Sequence, residues 1–280
     1  LPLLEAGLPE RRRLLVAEDA ADRGVDEQRV LRQRLAIQSV ENLTWKLARV
    51  VKGEAPLELI ATYNQERQYG AAENILNSTR ATDFITPKSR VSRLFRDTTL
   101  ELAEEFDFAR SLVNSGRLSL PCRYSDSPLN GDDDSSLARD RAPGSCASDA
   151  PILLGGRSAW LLNQLGGDFV LMLDARQTQS LGGLRDLLER RDDLRLLVVS
   201  APEVAPSEAL ASMPRTTLVE DCDGLVASRY GLASDGAYLW RPDQHVSARW
   251  RRFDADRVEA CLERALGQSL SMPEVRHASA

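Results

Sequence analysis

The nucleophiles and metal ligands that this sequence offers are four cysteines, Cys122, Cys146, Cys222 and Cys261, and two histidines, His245 and His277. No cysteine lies in a C-x-x-C pair, and two histidines are too few to complete a zinc spacing. The pattern reads as free thiols in a reducing compartment. Cys261 falls on the apolar side of a helical segment and Cys222 follows Glu220 and Asp221, which suits packed or inert thiols. His245 stands beside the turn signal Pro242-Asp243. There it can serve as a general base, and it can equally bond nearby backbone as a turn side chain. Asp132, Asp133 and Asp134 offer carboxylates to calcium but lack the glycine and distal glutamate of an EF-hand loop, so a solvated charge run is the plainer reading. No G-x-S-x-G, G-x-G-x-x-G or Walker loop occurs. The residues by themselves therefore assign no catalytic group and no metal ligand.

The elements that would position these groups fall into two styles. From 41 to 114 the pattern is helical: Leu43, Leu47, Val50 and Val51 mark a first helix stopped by Gly53 and Pro56, and Leu59, Ile60, Tyr63, Ala71 and Ile75 mark a second. Thr86-Pro87 reads as a cap before a third helix striped by Val91, Leu94, Phe95 and Leu102, and a short fourth ends at Gly116. Residues 117–150, rich in Pro, Ser, Gly and Asp, read as a linker or long surface loop. Beyond Pro151, Phe169 to Leu173 and Leu194 to Val199 are apolar runs suited to buried strands, with a helix from Leu181 to Arg191 between them. Ala237 to Trp240 and Val246 to Trp250 form a hairpin, and Phe253 to Leu266 a closing amphipathic helix. Strand, helix, strand, helix, hairpin, helix is the order of a thioredoxin-like α/β fold. The turn Asp174-Ala175-Arg176-Gln177-Thr178, where a redox dithiol would sit, has no cysteine.

At 280 residues the chain has room for about two domains. Its net charge of -6 repels a phosphate backbone and so excludes nucleic acid as a partner. No apolar run approaches the roughly 18 residues of a membrane span and no signal peptide is visible, so a cytoplasmic protein without a membrane partner is expected. The chain begins at Leu1 and its methionines, Met172, Met213 and Met272, all lie in the second half, which suggests a piece of a longer protein.

Several blocks in order carry a family resemblance. Glu41-Asn42-Leu43-Thr44-Trp45-Lys46-Leu47, Lys52-Gly53-Glu54-Ala55-Pro56 and Tyr63-Asn64-Gln65-Glu66-Arg67 resemble a segment of FAD-dependent aromatic-ring monooxygenases of the phenol hydroxylase type. The likeness continues through Ala72 to Arg80, Thr82 to Ser89 and Leu112 to Ser119, and closes at Tyr238-Leu239-Trp240-Arg241-Pro242-Asp243-Gln244-His245-Val246. The resemblance implies an α/β chain with the C-terminal helical part of an FAD-binding domain at 1–116, a linker at 117–150, a thioredoxin-like domain without redox cysteines at 151–268 and a disordered tail at 269–280. It implies an oxidoreductase that uses FAD, with NAD(P)H and O2 as co-substrates, to hydroxylate an aromatic, phenolic small molecule. Most of the FAD domain is absent, so the chain alone is expected to be inactive and its helices to expose an apolar patch at Leu43, Trp45, Leu47, Ile60 and Tyr63. The alternative is a non-catalytic, truncated or degenerate module acting only in packing or dimerisation. A homo-oligomer is open under either reading. Within Leu14 to Asp22, which resembles the family's Gly-Asp motif, only Asp19 carries over as a cofactor-binding residue. Glu18 holds the glycine position and Asp22 that of a common histidine. The following loop, Leu31 to Gln38, lacks glycine, which suggests degeneration or a frame disturbance between 18 and 36.

Overall fold

The computed structural model describes residues 37–113, 122–134, 137, 141–177, 181–232 and 234–269. Asp19, the altered loop, the end of the short helix at Gly116, Thr178 and the tail from 270 lie outside the described residues. The chain divides into two compact units, Leu1–Glu41 and Asn42–Ala280. Of the first only the helical residues 37–41 are described; the second holds the sheet and its helices.

Seven strands make one mixed sheet: β1 (Pro151–Leu154), β2 (Arg157–Trp160), β3 (Phe169–Asp174), β4 (Leu194–Ser200), β5 (Thr216–Glu220), β6 (Ala237–Trp240) and β7 (Val246–Trp250). Their order is β2-β1-β5-β4-β3-β6-β7. The centre, β5-β4-β3, is parallel; β6 runs antiparallel to β3, and β7 to β6. Every residue of β3 is buried, because both faces of the sheet are covered. Phe169, Leu171 and Leu173 face a core shared with Trp45, Leu187 and Leu262, while Val170 and Met172 face Ile152, Tyr230 and Trp240. The alternation is the two-residue period of a strand.

The helices are α1 (37–51), α2 (Glu58–Ile85), α3 (Arg90–Glu105), α4 (Asp107–Val113), α5 (Leu184–Arg190), α6 (Glu208–Ala211), α7 (Leu225–Tyr230) and α8 (Ala255–Ala265). The closing helix α8 buries the expected Val258, Cys261, Leu262 and Ala265 and α2 the expected Leu59, but elsewhere in α1 to α3 the buried faces differ from the apolar stripes that the spacing suggests. In α1 the buried positions are Asn42, Trp45, Lys46 and Arg49, at helical spacing, whereas Leu47 and Val51 are exposed. In α2 the buried stripe is Leu59, Thr62, Glu66 and Gly70, and Ile75 is exposed. Trp45, expected in a bare patch, instead meets Phe169 edge to face at 5.8 Å, inside the sheet's core. Charged side chains can take the inner face because opposite charges are waiting there. The cap of α3 is Ser89, whose hydroxyl accepts from the Ser92 N–H at 3.0 Å; Thr86 instead closes α2 by bonding Thr82. Val91, Leu94 and Phe95 are exposed.

The described parts of the polar stretch before β1 are packed. Leu129, Tyr124, Ala142 and Ala150 are buried. Gly131 N–H donates to the Ser247 carbonyl and Arg249 N–H to that of Asp132, while Gly144 and Ala147 bond Val246 and Gln244. These segments cover the outer edge of β7, where unpaired backbone groups would otherwise face solvent.

Candidate functional site

The densest polar constellation lies under the β6–β7 turn. Gln244 N–H donates to the Arg241 carbonyl at 3.0 Å across Pro242 and Asp243, and Gln244 itself takes a left-handed φ of 59°. This is a three-residue hairpin loop with a non-glycine residue at its left-handed position. The Gln244 amide donates to the Leu162 carbonyl at 3.0 Å and so holds that conformation in place. The turn aims Arg241 and Asp243 inward and carries His245 onto the next strand.

Arg241 is fully buried and makes two forked contacts. Its NH1 and NH2 donate to Glu66 Oε1 and Oε2 at 2.6 and 3.1 Å. Its Nε and NH2 donate to Asp243 Oδ1 and Oδ2 at 3.0 and 2.6 Å. Lys46 Nζ donates to Glu66 Oε2 at 2.7 Å, and Asn42 Nδ2 bridges both carboxylates at 2.7 and 2.9 Å. Ser127 Oγ donates to Glu66 Oε1 at 2.5 Å. The Arg241 guanidinium also lies 5.5 Å from the centre of the Trp45 ring. Farther along α1, Arg49 donates to Glu54 at 2.6 Å and to Asp168, just before β3, at 3.1 Å.

The charges sort by how many partners each has. Burial raises the Glu66 carboxyl, but Arg241 and then Lys46 outweigh it and hold that carboxyl well below the usual range. Asp243 is likewise held low, against burial, by Arg241 and His245. Lys46 has one carboxylate, shared with Arg241, and burial pulls its ammonium down to about 8. Removing a partner from such a set leaves a buried charge uncompensated, at about 3–5 kcal/mol.

A second group adjoins the first. His245 Nδ1 lies 2.9 Å from the Asp243 carbonyl oxygen, and Nε2 lies 3.0 Å from Cys146 Sγ. Tyr124 stacks on the imidazole at 4.8 Å between ring centres, and its hydroxyl accepts from Arg67 at 2.8 Å. His245 thus joins its turn bond to a contact with a cysteine, and no residue in its immediate sequence announced the second.

The other candidates are engaged elsewhere. Asp132 accepts from Trp250 Nε1 at 3.0 Å and pairs with Arg257 at 2.6 Å, while Asp133 pairs with Arg249 at 2.7 Å. These carboxylates anchor the 131–134 segment to β7 and α8, where a solvated run was expected. Cys261 is buried and its thiol is pushed up by desolvation. Cys222 is exposed, and its thiol is pushed up by a hydrogen bond to Glu220. His277 lies outside the described residues.

For a flavin dinucleotide, a fitting cradle needs uncommitted donors facing open space. Among the described residues the buried cations Lys46 and Arg241 are committed to Glu66 and Asp243. The open depression lined by Ala260, Glu263, Arg264, Gln268 and Ser269 is on α8, away from this network. Neither these committed cations nor that depression forms an FAD cradle.

Residues 34–78, which include Asn42, Lys46 and Glu66, match the family model described as an FAD binding domain. The chain is 30% identical over 244 residues to 4-methyl-5-nitrocatechol 5-monooxygenase of a Burkholderia species, covering 82% of this chain and 39% of the relative. It is 42% identical over 64 residues to 3-(3-hydroxy-phenyl)propionate/3-hydroxycinnamic acid hydroxylase of Comamonas testosteroni, covering 23% of this chain and 11% of that protein. Among solved structures, the flavin-dependent monooxygenase PieE in complex with FAD and substrate superposes with a TM-score of 0.59 at 21% identity, over 84% of this chain and 44% of PieE. Aklavinone-11 hydroxylase with FAD and aklavinone gives 0.57 at 20% identity, over 84% of this chain and 40% of that one. The chain therefore spans less than half the length of these relatives.

Proposed function

We propose that this chain, which belongs to the family of FAD-dependent aromatic-ring monooxygenases, is the C-terminal portion of a cytoplasmic enzyme that hydroxylates a phenolic small molecule with NAD(P)H and O2. The single observation that carries this reading is the buried joint. Asn42, Lys46 and Glu66, inside the segment that matches an FAD binding domain, close on Arg241 and Asp243 of the β6–β7 turn. A helical piece of a cofactor domain is thereby fastened to the sheet domain, and the role of the described residues is to hold that piece in place. Asp19 is proposed as the contact to FAD, supported by the likeness of Leu14 to Asp22 to the family's Gly-Asp motif.

The strand order β4-β3-β6-β7, with α5 linking the parallel pair and α8 following the hairpin, supports a thioredoxin-like reading of the second domain. The turn after β3, at Asp174 to Gln177, supplies carboxylate, guanidinium and amide in place of a dithiol. We place the domains at 1–116 and 151–268.

The experiment is a chimera in which this chain replaces the corresponding C-terminal segment of the Burkholderia enzyme. The expected result is a yellow protein that consumes NAD(P)H in the presence of the aromatic substrate and yields hydroxylated product, while the 280-residue chain alone retains no stoichiometric flavin and turns over nothing. A folded, flavin-loaded chimera that forms no product would overturn the enzymatic reading and leave a packing module.

A further inference from the structure

We infer that Cys146, His245 and Asp243 form a reactive-thiol site at which Cys146 is oxidised by hydrogen peroxide to a sulfenic acid.

The geometry is fixed by backbone. Cys146 and His245 are partners in an antiparallel bridge, with Ala147 N–H donating to the Gln244 carbonyl at 2.8 Å and Val246 N–H to that of Ser145 at 2.9 Å. That pairing brings the two side chains alongside each other, and Sγ lies 3.0 Å from Nε2. The imidazole is held from two further directions. Its Nδ1 is 2.9 Å from the Asp243 carbonyl oxygen and 3.4 Å from Oδ1 of the same residue, and Tyr124 stacks on its face. A nucleophile within about 3 Å of a base, with the base oriented by a third group, is the arrangement that activates thiols. His245 is buried, whereas Cys146 is half-buried, so Cys146 is the member of the pair nearer to solvent. Burial works against the imidazolium, but Cys146 and Asp243 overcome it and hold His245 well above the usual histidine range. Cys122, nearby and buried, is pushed up by desolvation and then by the Cys146 charge. It stays protonated and covered beside the reactive sulfur.

The step balances as follows. With the imidazolium Nε2–H facing Sγ, the thiolate form of Cys146 attacks one oxygen of the peroxide. An S–O bond forms as the O–O bond breaks; sulfur loses two electrons and the peroxide gains them. The leaving hydroxide takes the imidazolium proton and departs as water, leaving Cys146–SOH and a neutral His245. The sheet core takes no part, and the Glu66 joint contributes only through Asp243, which also holds the imidazole.

The exposed Cys222 provides an internal control, because access alone would make it the faster thiol. The full chain is treated with dilute hydrogen peroxide, sulfenic acids are trapped with dimedone, and labelling rates are read peptide by peptide by mass spectrometry. Cys146 is expected to label about tenfold faster than Cys222, and His245→Asn to slow Cys146 about tenfold while leaving Cys222 unchanged, since thiolate character governs the rate. Labelling of Cys222 as fast as Cys146 in the unaltered chain overturns the proposal, as does an unchanged Cys146 rate in a folded His245→Asn variant. If that variant does not fold, as circular dichroism will show, the comparison within the unaltered chain decides.

Discussion

Glu66→Gln is the sharpest perturbation of the buried joint because it keeps the shape and removes only the charge. In the native chain one carboxylate oxygen of Glu66 accepts from Lys46, Asn42 and Arg241, and the other from Arg241 and Ser127. An amide can present one oxygen; its NH2 must then face donors on the other side, whichever way it turns. Lys46 and Arg241 are fully buried and keep their charges, with Asp243 left to serve Arg241 alone. Breaking such a pair costs about 3–5 kcal/mol. Against a typical total stability of about 5–15 kcal/mol this is enough to release α1 and the start of α2 from the sheet. With a urea slope of about 1–3 kcal/mol per molar, the midpoint should fall by about 1–5 M. Urea unfolding followed by tryptophan fluorescence is the assay, since Trp45 packs on Phe169 and under Arg241 and reports the joint directly. Replacing all four charged members with Lys46→Met, Glu66→Leu, Arg241→Met and Asp243→Leu should recover most of the loss, because apolar side chains of similar size carry no desolvation penalty. A Glu66→Gln variant within about 1 kcal/mol of the unaltered chain, the range of an exposed pair such as Arg96 with Asp97, would refute the reasoning.

Gly144→Ala should destabilise by more than about 2 kcal/mol, because the glycine has a φ of 83° and an added Cβ would lie 2.3 Å from the Tyr124 carbonyl oxygen; an unchanged melting temperature would contradict this. Lys46 is lowered in the folded chain to about 8 from 10.5, so the unfolded state binds more protons between these values and stability rises with pH across that window. Relative to Lys46→Met, the unaltered chain should gain on the order of 3 kcal/mol from pH 8 to 10.5, and a constant difference would show that the ammonium is not strained. His245 has the opposite sign: raised in the folded chain, it contributes stability below about 6.5 that is lost as pH rises through its folded value, a trend His245→Asn should abolish in denaturation scans. Leu94→Glu and Phe95→Glu, at positions 68% and 59% exposed, should change stability by less than about 0.5 kcal/mol while reducing self-association in sedimentation. A large loss of stability would mean that α3 is covered.

What could be read from the sequence followed the length of its signals. β3, β4 and the β6–β7 hairpin stood out because residues buried on both faces need continuous apolar runs, and α8 because its one-sided burial shows Val258, Cys261, Leu262 and Ala265 in register. The β1–β2 hairpin was missed although Gly155-Gly156, both at positive φ, is its turn signal, because β2 is largely exposed and lacks a strand-like apolar pattern. β5 was missed for a similar reason: Val219 is its one buried residue. The joint was unreadable from periodicity. Hydrophobic spacing on α1 and α2 selects Leu47, Val51 and Ile75, which are exposed, while the buried stripe is charged, and its justification lies 175 residues away in Arg241. The likewise remote Cys146–His245 contact depends on an antiparallel bridge between residues 99 apart in sequence.

The same separation bears on how the chain is made. Helices α1 and α2 leave the ribosome well before Arg241, and 175 residues at about 5–20 residues per second amount to ~10–35 s of waiting. An apolar inner face would spend that time as a sticky surface on a growing chain. Asn42, Lys46, Arg49 and Glu66 keep much of the waiting face hydrated, leaving mainly Trp45 and Leu59 for chaperones to shelter. When the β6–β7 turn is finally synthesised, the face becomes a docking surface only for a segment bearing a cation and a carboxylate two residues apart. Premature burial against some other apolar segment would strand those charges, so the stripe disfavours wrong partners while the chain grows.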